Sequence, residues 1–157
     1  MTRGRWDVRR ATEDDADDIA RLLHDFNVEF DTPSPGAEAL APRLRTLLAG
    51  DRTFAVVAGA PSSGIALVTL RTNVWYEGEV ALLDELYVVP SLRSQGMGSA
   101  IVEVLLSTCR ERSVALIEIN VDESDVDAQR FYERHGFTVI DPRSNERAFY
   151  YSQEIGR

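Results

Sequence analysis

Leu86-Tyr87-Val88-Val89-Pro90-Ser91-Leu92-Arg93-Ser94-Gln95-Gly96-Met97-Gly98-Ser99-Ala100-Ile101-Val102 reads as an apolar strand, a turn with an arginine and two glycines, and an apolar helix. The first N–H groups of a helix have no acceptor inside it, and the helix dipole adds partial positive charge at that end. Glycine lets an anion come close to the backbone, and Arg93 brings a full charge. The stretch therefore points to a phosphate-bearing ligand. Two familiar phosphate loops do not fit. A dinucleotide fingerprint needs a glycine three residues after Gly98, where Ile101 stands, and a Walker loop needs Lys then Ser or Thr after its last glycine, where Ser99 and Ala100 stand.

A second motif lies downstream: Ala128-Gln129-Arg130-Phe131-Tyr132-Glu133-Arg134-His135-Gly136-Phe137. Together with Arg93-x-x-Gly96-x-Gly98 it resembles the GCN5-related N-acetyltransferase (GNAT) superfamily, over residues 80–140. The acidic pair Asp84-Glu85 before the loop is similar to that of the spermidine/spermine acetyltransferase branch. The resemblance implies an α/β fold with a central mixed, mostly antiparallel sheet of about six to seven strands and about four helices, in one domain over residues 1–157. In such folds the strands through Val88 and Ile119 splay apart and admit the pantetheine arm of acetyl-CoA. The co-substrate is then acetyl-CoA, with no metal, and a homodimer is allowed. Leu86, Tyr87, Val88, Arg93, Ser94, Gln95, Gly96, Met97, Gly98, Ser99 and Asp125 become its expected contacts.

The rest of the chain is compatible. Its 157 residues suffice for one domain with a substantial core, and 44% hydrophobic content is ordinary for a globular protein. A net charge of −9 speaks against a nucleic-acid partner and mildly for a cationic one. No apolar run reaches membrane-spanning length, and Met1-Thr2-Arg3-Gly4-Arg5-Trp6 is basic without a signal peptide's apolar stretch, so a cytoplasmic location is expected. Cys109, the lone cysteine, reads as a small core residue. His24 and His135 form no metal set. Trp75-Tyr76 reads either as a substrate or dimer contact or as ordinary exposed aromatics.

Patterning predicts strands over residues 7–10, 53–58, 65–71, 79–89, 115–121, 137–140 and 148–152. A first helix follows Thr12, with Asp15 at the capping-box position and Ile19, Leu22, Leu23, Phe26 and Phe30 on one face. A second carries Leu40, Leu44, Leu47 and Leu48, and Pro42 suggests a start near Leu40. A third covers residues 96–112, and a fourth, capped by Ser124 or Asp125, holds Tyr132 and stops at Gly136.

Acetyl transfer to an amine needs a base for the amine, a donor for the carbonyl oxygen and an acid for the departing thiolate. Asp84 or Glu85 is the candidate base, acting through water. Strand alternation sends the two to opposite faces unless a bulge intervenes. Resemblance makes Tyr132 the acid and a backbone N–H near Leu86 or Tyr87 the oxyanion donor. It also shows a departure: Asp125 stands where relatives often carry Asn, so a cap is retained but an ionised side chain donates no hydrogen bond. Glu118 and Asn120 are candidate cleft residues or plain surface. The acceptor expected is a small cationic amine. The alternatives are a protein acetyltransferase, acting on N-termini or lysines, and a non-catalytic acyl-CoA sensor.

Overall fold

The computed structural model describes residues 4–156. Met1 to Arg3, the start of the basic N-terminal stretch, and Arg157 lie outside the described residues. The chain divides into two compact units, Met1–Ile119 and Asn120–Arg157.

The first unit holds β1 (Val8–Arg10), α1 (Ala16–Glu29), α2 (Ala37–Ala49), β2 (Thr53–Ala58), β3 (Gly64–Arg71), β4 (Val80–Val88), α3 (Met97–Glu111) and β5 (Leu116–Ile119). The strands form one sheet in the order β1-β2-β3-β4-β5, antiparallel as far as β4, with β4 and β5 parallel. A parallel pair needs a crossover, which α3 supplies.

Alternation along the strands gives each face its helices. Ala55, Val57, Ile65 and Tyr87 meet Ile19, Leu22, Ala41 and Leu44 of α1 and α2 in one buried cluster. The opposite face receives α3, so closely at Gly64 that a Cβ there would stand 2.7 Å from the Ile101 side chain and 2.8 Å from that of Met97. Ile101, Val102 and Leu105 are fully buried, as expected of a helix apolar on more than one face. Cys109 is buried too, and burial pushes its thiol up to about 11, which suits an inert core residue.

At the start of α1 Asp15 accepts the Thr12 N–H at 2.8 Å, the carboxylate half of the expected capping box. Helix α2 differs from expectation. It begins at Ala37, with Pro42 inside it. Gly36, at φ 95°, turns the chain in, and its carbonyl accepts the N–H groups of Ala39 and Leu40. Burial of Ala41 and Leu44 against the sheet outweighs the one backbone bond the proline omits.

The second unit contains α4 (Val126–Arg134). The strands expected over residues 137–140 and 148–152 do not form: among the described residues the sheet has five strands, not the six to seven expected. Among the described residues an Ala148 N–H to Val139 carbonyl bond of 3.0 Å joins the two segments, beside an isolated bridge from Ile140 to Arg147, the residue just before the second. Val139, Phe149, Tyr150 and Tyr151 are exposed. Aromatic and β-branched residues form strands when a packed surface rewards them, and here they gain little burial.

Candidate active site

Strand β4 changes character midway. Its pairing with β5 runs from Val80–Leu116 to Leu83–Ile119 and stops, while pairing with β3 continues to Val88–Gly64. Residues 84–88 thus pass beyond the end of β5. The β3 register breaks at the same place: Val68 opposes Leu83 and Leu67 opposes Glu85, leaving Asp84 as the extra residue of a bulge.

The bulge puts both acids on one face. Thr69 and Leu67, two residues apart on β3, share a face. The Thr69 hydroxyl donates a short hydrogen bond to Asp84, and Glu85 stands opposite Leu67, which packs against the α1–α2 core. Asp84 is exposed and Glu85 half-buried. Burial, with the charge of Asp84 as the smaller cause, raises the Glu85 carboxyl above its ordinary range.

Beyond β4, a short 3-10 turn, Pro90–Leu92, leads into the loop. Ser94 (φ 60°) and Gly96 (φ 88°) are left-handed, and Gly96 caps α3. No neighbour lies within 4 Å of a Cβ built at Gly96, so backbone conformation is what favours glycine there. The first bond inside α3 runs from Ala100 to Gly96. The N–H groups of Met97 and Gly98 come before it, at the positive end of the helix dipole. The Met97 side chain is buried, so only its backbone is available to a ligand. Ser99 follows in the same first turn. Gln95 braces the loop: its Oε1 accepts from Arg5 at 2.7 Å, its carbonyl from the Trp6 indole at 3.1 Å, and its Nε2 donates to Ser91 at 3.2 Å.

Arg93, expected to offer its charge to a ligand, is exposed but spends its donors on partners within the protein. It forms a two-armed pair with Glu29 (2.7 and 2.8 Å), and its Nε donates to the Val88 carbonyl at 2.9 Å. Tyr87 donates to the same carboxylate at 3.0 Å, its ring buried and stacked on Phe26. Hydrogen bonds from Arg93 chiefly, and from Tyr87, hold the Glu29 carboxyl below its usual range against the opposing effect of burial. Leu86 and Val88 are half-buried.

In the second unit, Asp125 caps α4 by accepting the Ala128 N–H at 3.0 Å. Tyr132 is half-buried, edge-on to Phe131 and Phe137, and its carbonyl takes the N–H groups of His135 and Phe137. Glu118 pairs with Arg71. His24 meets the Ser34 hydroxyl at 2.8 Å, and no group of three metal-ligating side chains occurs among the described residues. Trp75 is 86% exposed beside Val74 at 87%. No helix of the described residues is long and apolar enough to cross a membrane.

Sequence reasoning missed Thr69 and Glu29. Neither has a local signal, since each meets its partner only through the sheet or across 64 residues of chain.

The chain is similar to known proteins along the same segment. The acetyltransferase (GNAT) family model matches residues 17–137. An uncharacterized N-acetyltransferase of Archaeoglobus fulgidus is 27% identical over 130 residues, covering 80% of this chain and 88% of the relative. A crystal structure of an Arthrobacter sp. FB24 protein assigned to the acetyltransferases superposes with a TM-score of 0.91 at 47% identity, covering 99% of both chains. At 16% identity, AAC(6')-Iy in complex with the bisubstrate analogue CoA-S-monomethyl-acetylneamine shares the fold, with a TM-score of 0.75 over 96% of this chain and 99% of that one. The matched segment contains the truncated β4–β5 pairing, the bulge with its two acids, the glycine turn into α3 and the Tyr132 motif, and the chain belongs to the GNAT acetyltransferase family as an N-acetyltransferase.

Proposed function

We propose that this chain moves an acetyl group from acetyl-CoA directly onto the primary amine of a small cationic molecule. The observation that carries the reading is the acidic pair at the β4 bulge, set where β5 pairing ends and on the strand that leads into the glycine loop. Two carboxylates side by side attract a cationic acceptor, and the raised Glu85 makes the better proton acceptor near neutrality. In this reading Glu85 takes the amine proton through water and Asp84 holds the acceptor's charge. The amine nitrogen bonds to the thioester carbon, and a backbone N–H near Leu86 or Tyr87 stabilises the oxygen. The C–S bond then breaks, and the thiolate takes a proton from Tyr132, a role assigned by its place in the second motif. The phosphates are received at the start of α3 by the backbone of residues 94–99, and Asp125 joins the donor contacts as the cap of α4.

The family match crosses the boundary between the two compact units, which supports treating residues 1–157 as one acetyltransferase domain. The fold shared with a complex of CoA joined to acetylneamine supports a small-molecule acceptor. A homodimer in the cytoplasm, with the exposed Trp75 and Tyr76 as a contact, completes the proposal.

The test is CoA release from acetyl-CoA across a panel of polyamines, aminoglycosides and peptides. Turnover on the small cations supports the reading. Acetyl-CoA binding without turnover on any acceptor would overturn it in favour of a sensor, and turnover on peptides alone in favour of a protein acetyltransferase. Tyr132→Phe is expected to cut kcat by about 100-fold with donor binding retained.

A further inference from the structure

We propose that Glu29 is a positioning residue for the donor loop: its two-armed pair with Arg93 fixes the turn that receives the donor's phosphates. This rests on the reading that the loop before α3 seats those phosphates.

Arg93 is the residue that sequence would assign to the ligand, yet three of its donors are used within the protein. Both terminal nitrogens grip Glu29, and Nε reaches back five residues to Val88. The side chain thus ties the end of β4 to the first residue of the turn. Glu29 extends that tie to a different layer, since it is the last residue of α1. Tyr87 adds a third point by donating to Glu29 while its ring lies 5.4 Å beneath the guanidinium.

The location of Glu29 is informative. A carboxylate at a helix C-terminus faces the negative end of the dipole, an unfavourable place without compensation. Arg93 and Tyr87 supply the compensation, so the helix end and the loop hold each other. Because Glu29 largely cancels the Arg93 charge, attraction for an anion falls to the backbone N–H groups and the helix start, which act only if the turn is set correctly. Ser94 and Gly96 leave that turn at left-handed φ, and Arg93 is the side chain that anchors its entrance.

The consequence is selective for one part of the donor. Loss of Glu29 should weaken recognition of the phosphate-bearing end and leave the thioester end alone. Steady-state kinetics of Glu29→Gln with acetyl-CoA and with S-acetylpantetheine, which has the same thioester and no phosphate, read this directly. The expected result is a rise of about tenfold in KM for acetyl-CoA, kcat within about twofold, and an unchanged KM for S-acetylpantetheine. Tyr87→Phe, which removes only the hydroxyl, should shift the same KM by about two- to threefold. The S-acetylpantetheine rate also reports the folded fraction. Equal losses with both donors would mean a merely structural role and would overturn the inference, as would no loss with either. If the wild type itself uses both donors equally well, the loop reading falls, and the inference with it.

Discussion

Strand β4 is two different objects along its length. Residues 80–83 are paired on both edges, and Val80, Ala81 and Leu83 are buried. Residues 85–88 keep only the β3 partner, and the unpaired Asp84, together with Glu85, opens this half with two carboxylates. The first half is strand in its structural role, with side chains chosen for fit. In the second half one neighbour departs, the register slips by a residue, and charged groups can stand where an apolar ladder would otherwise continue. A sheet interior makes an acid expensive to bury, so a pair of acids is placed where the sheet begins to open.

Glu85 is where the two halves differ most, and its replacement should have the largest effect. Glu85→Gln removes the proposed base at nearly constant shape, and kcat/KM is expected to fall by about 100-fold or more. The wild-type rate should rise with pH through a Glu85 pKa above the ordinary carboxylate range, and the variant should lose that limb. Stability should move the other way. A carboxyl whose folded pKa is raised favours the fold when protonated, a contribution present below its unfolded pKa and lost as pH rises through the folded one. Glu85→Gln should therefore melt higher than wild type at neutral pH while turning over far more slowly. A variant that loses activity and stability together would make Glu85 a packing residue like its upstream neighbours.

Leu83 tests the other half. It is 3% exposed and belongs to the last pair made with β5. Leu83→Ala should lower unfolding free energy by about 2–3 kcal/mol, read from denaturant midpoints at unchanged slope. The pH profile of the folded fraction should keep its shape. A shifted acid limb would mean that the two halves are coupled and the contrast overstated.

What could be read in advance follows the same division. Strand β2 was legible to its ends, because all six of its residues are buried and the run is apolar after Thr53. The glycine loop was legible because Gly96 needs a left-handed φ and the apolar helix follows at once. Segments that bury little misled: residues 137–140 and 148–152 have strand composition without a packed partner surface. Pro42 misled in the opposite direction, since burial of its neighbours carried α2 through it. At the site, residue types were visible and their arrangement was not. Alternation puts Asp84 and Glu85 on opposite faces, and only the register of a partner strand reveals the extra residue that brings them together. The use of Arg93 was invisible for the same reason, because its partner is the far end of the first helix.

Asp84 carries the smallest and most discriminating effect. It sits in the bulge, exposed, with its carboxylate held by Thr69, and its charge is the second cause of the raised Glu85 pKa. Asp84→Asn keeps the shape and the hydroxyl partner but removes the charge. With one negative neighbour fewer, Glu85 ionises more easily, so the acid limb of the rate profile should move to lower pH. The KM for a cationic acceptor should rise by about three- to tenfold, with kcat at the pH plateau changed less, because a charge that holds the substrate acts mainly on binding. If Asp84 were the base instead, the same variant would abolish the acid limb and Glu85→Gln would merely shift it. The bulge makes this exchange of roles the sharpest question about the pair, because it aims both carboxylates at one face and leaves the direction of the shift to tell them apart.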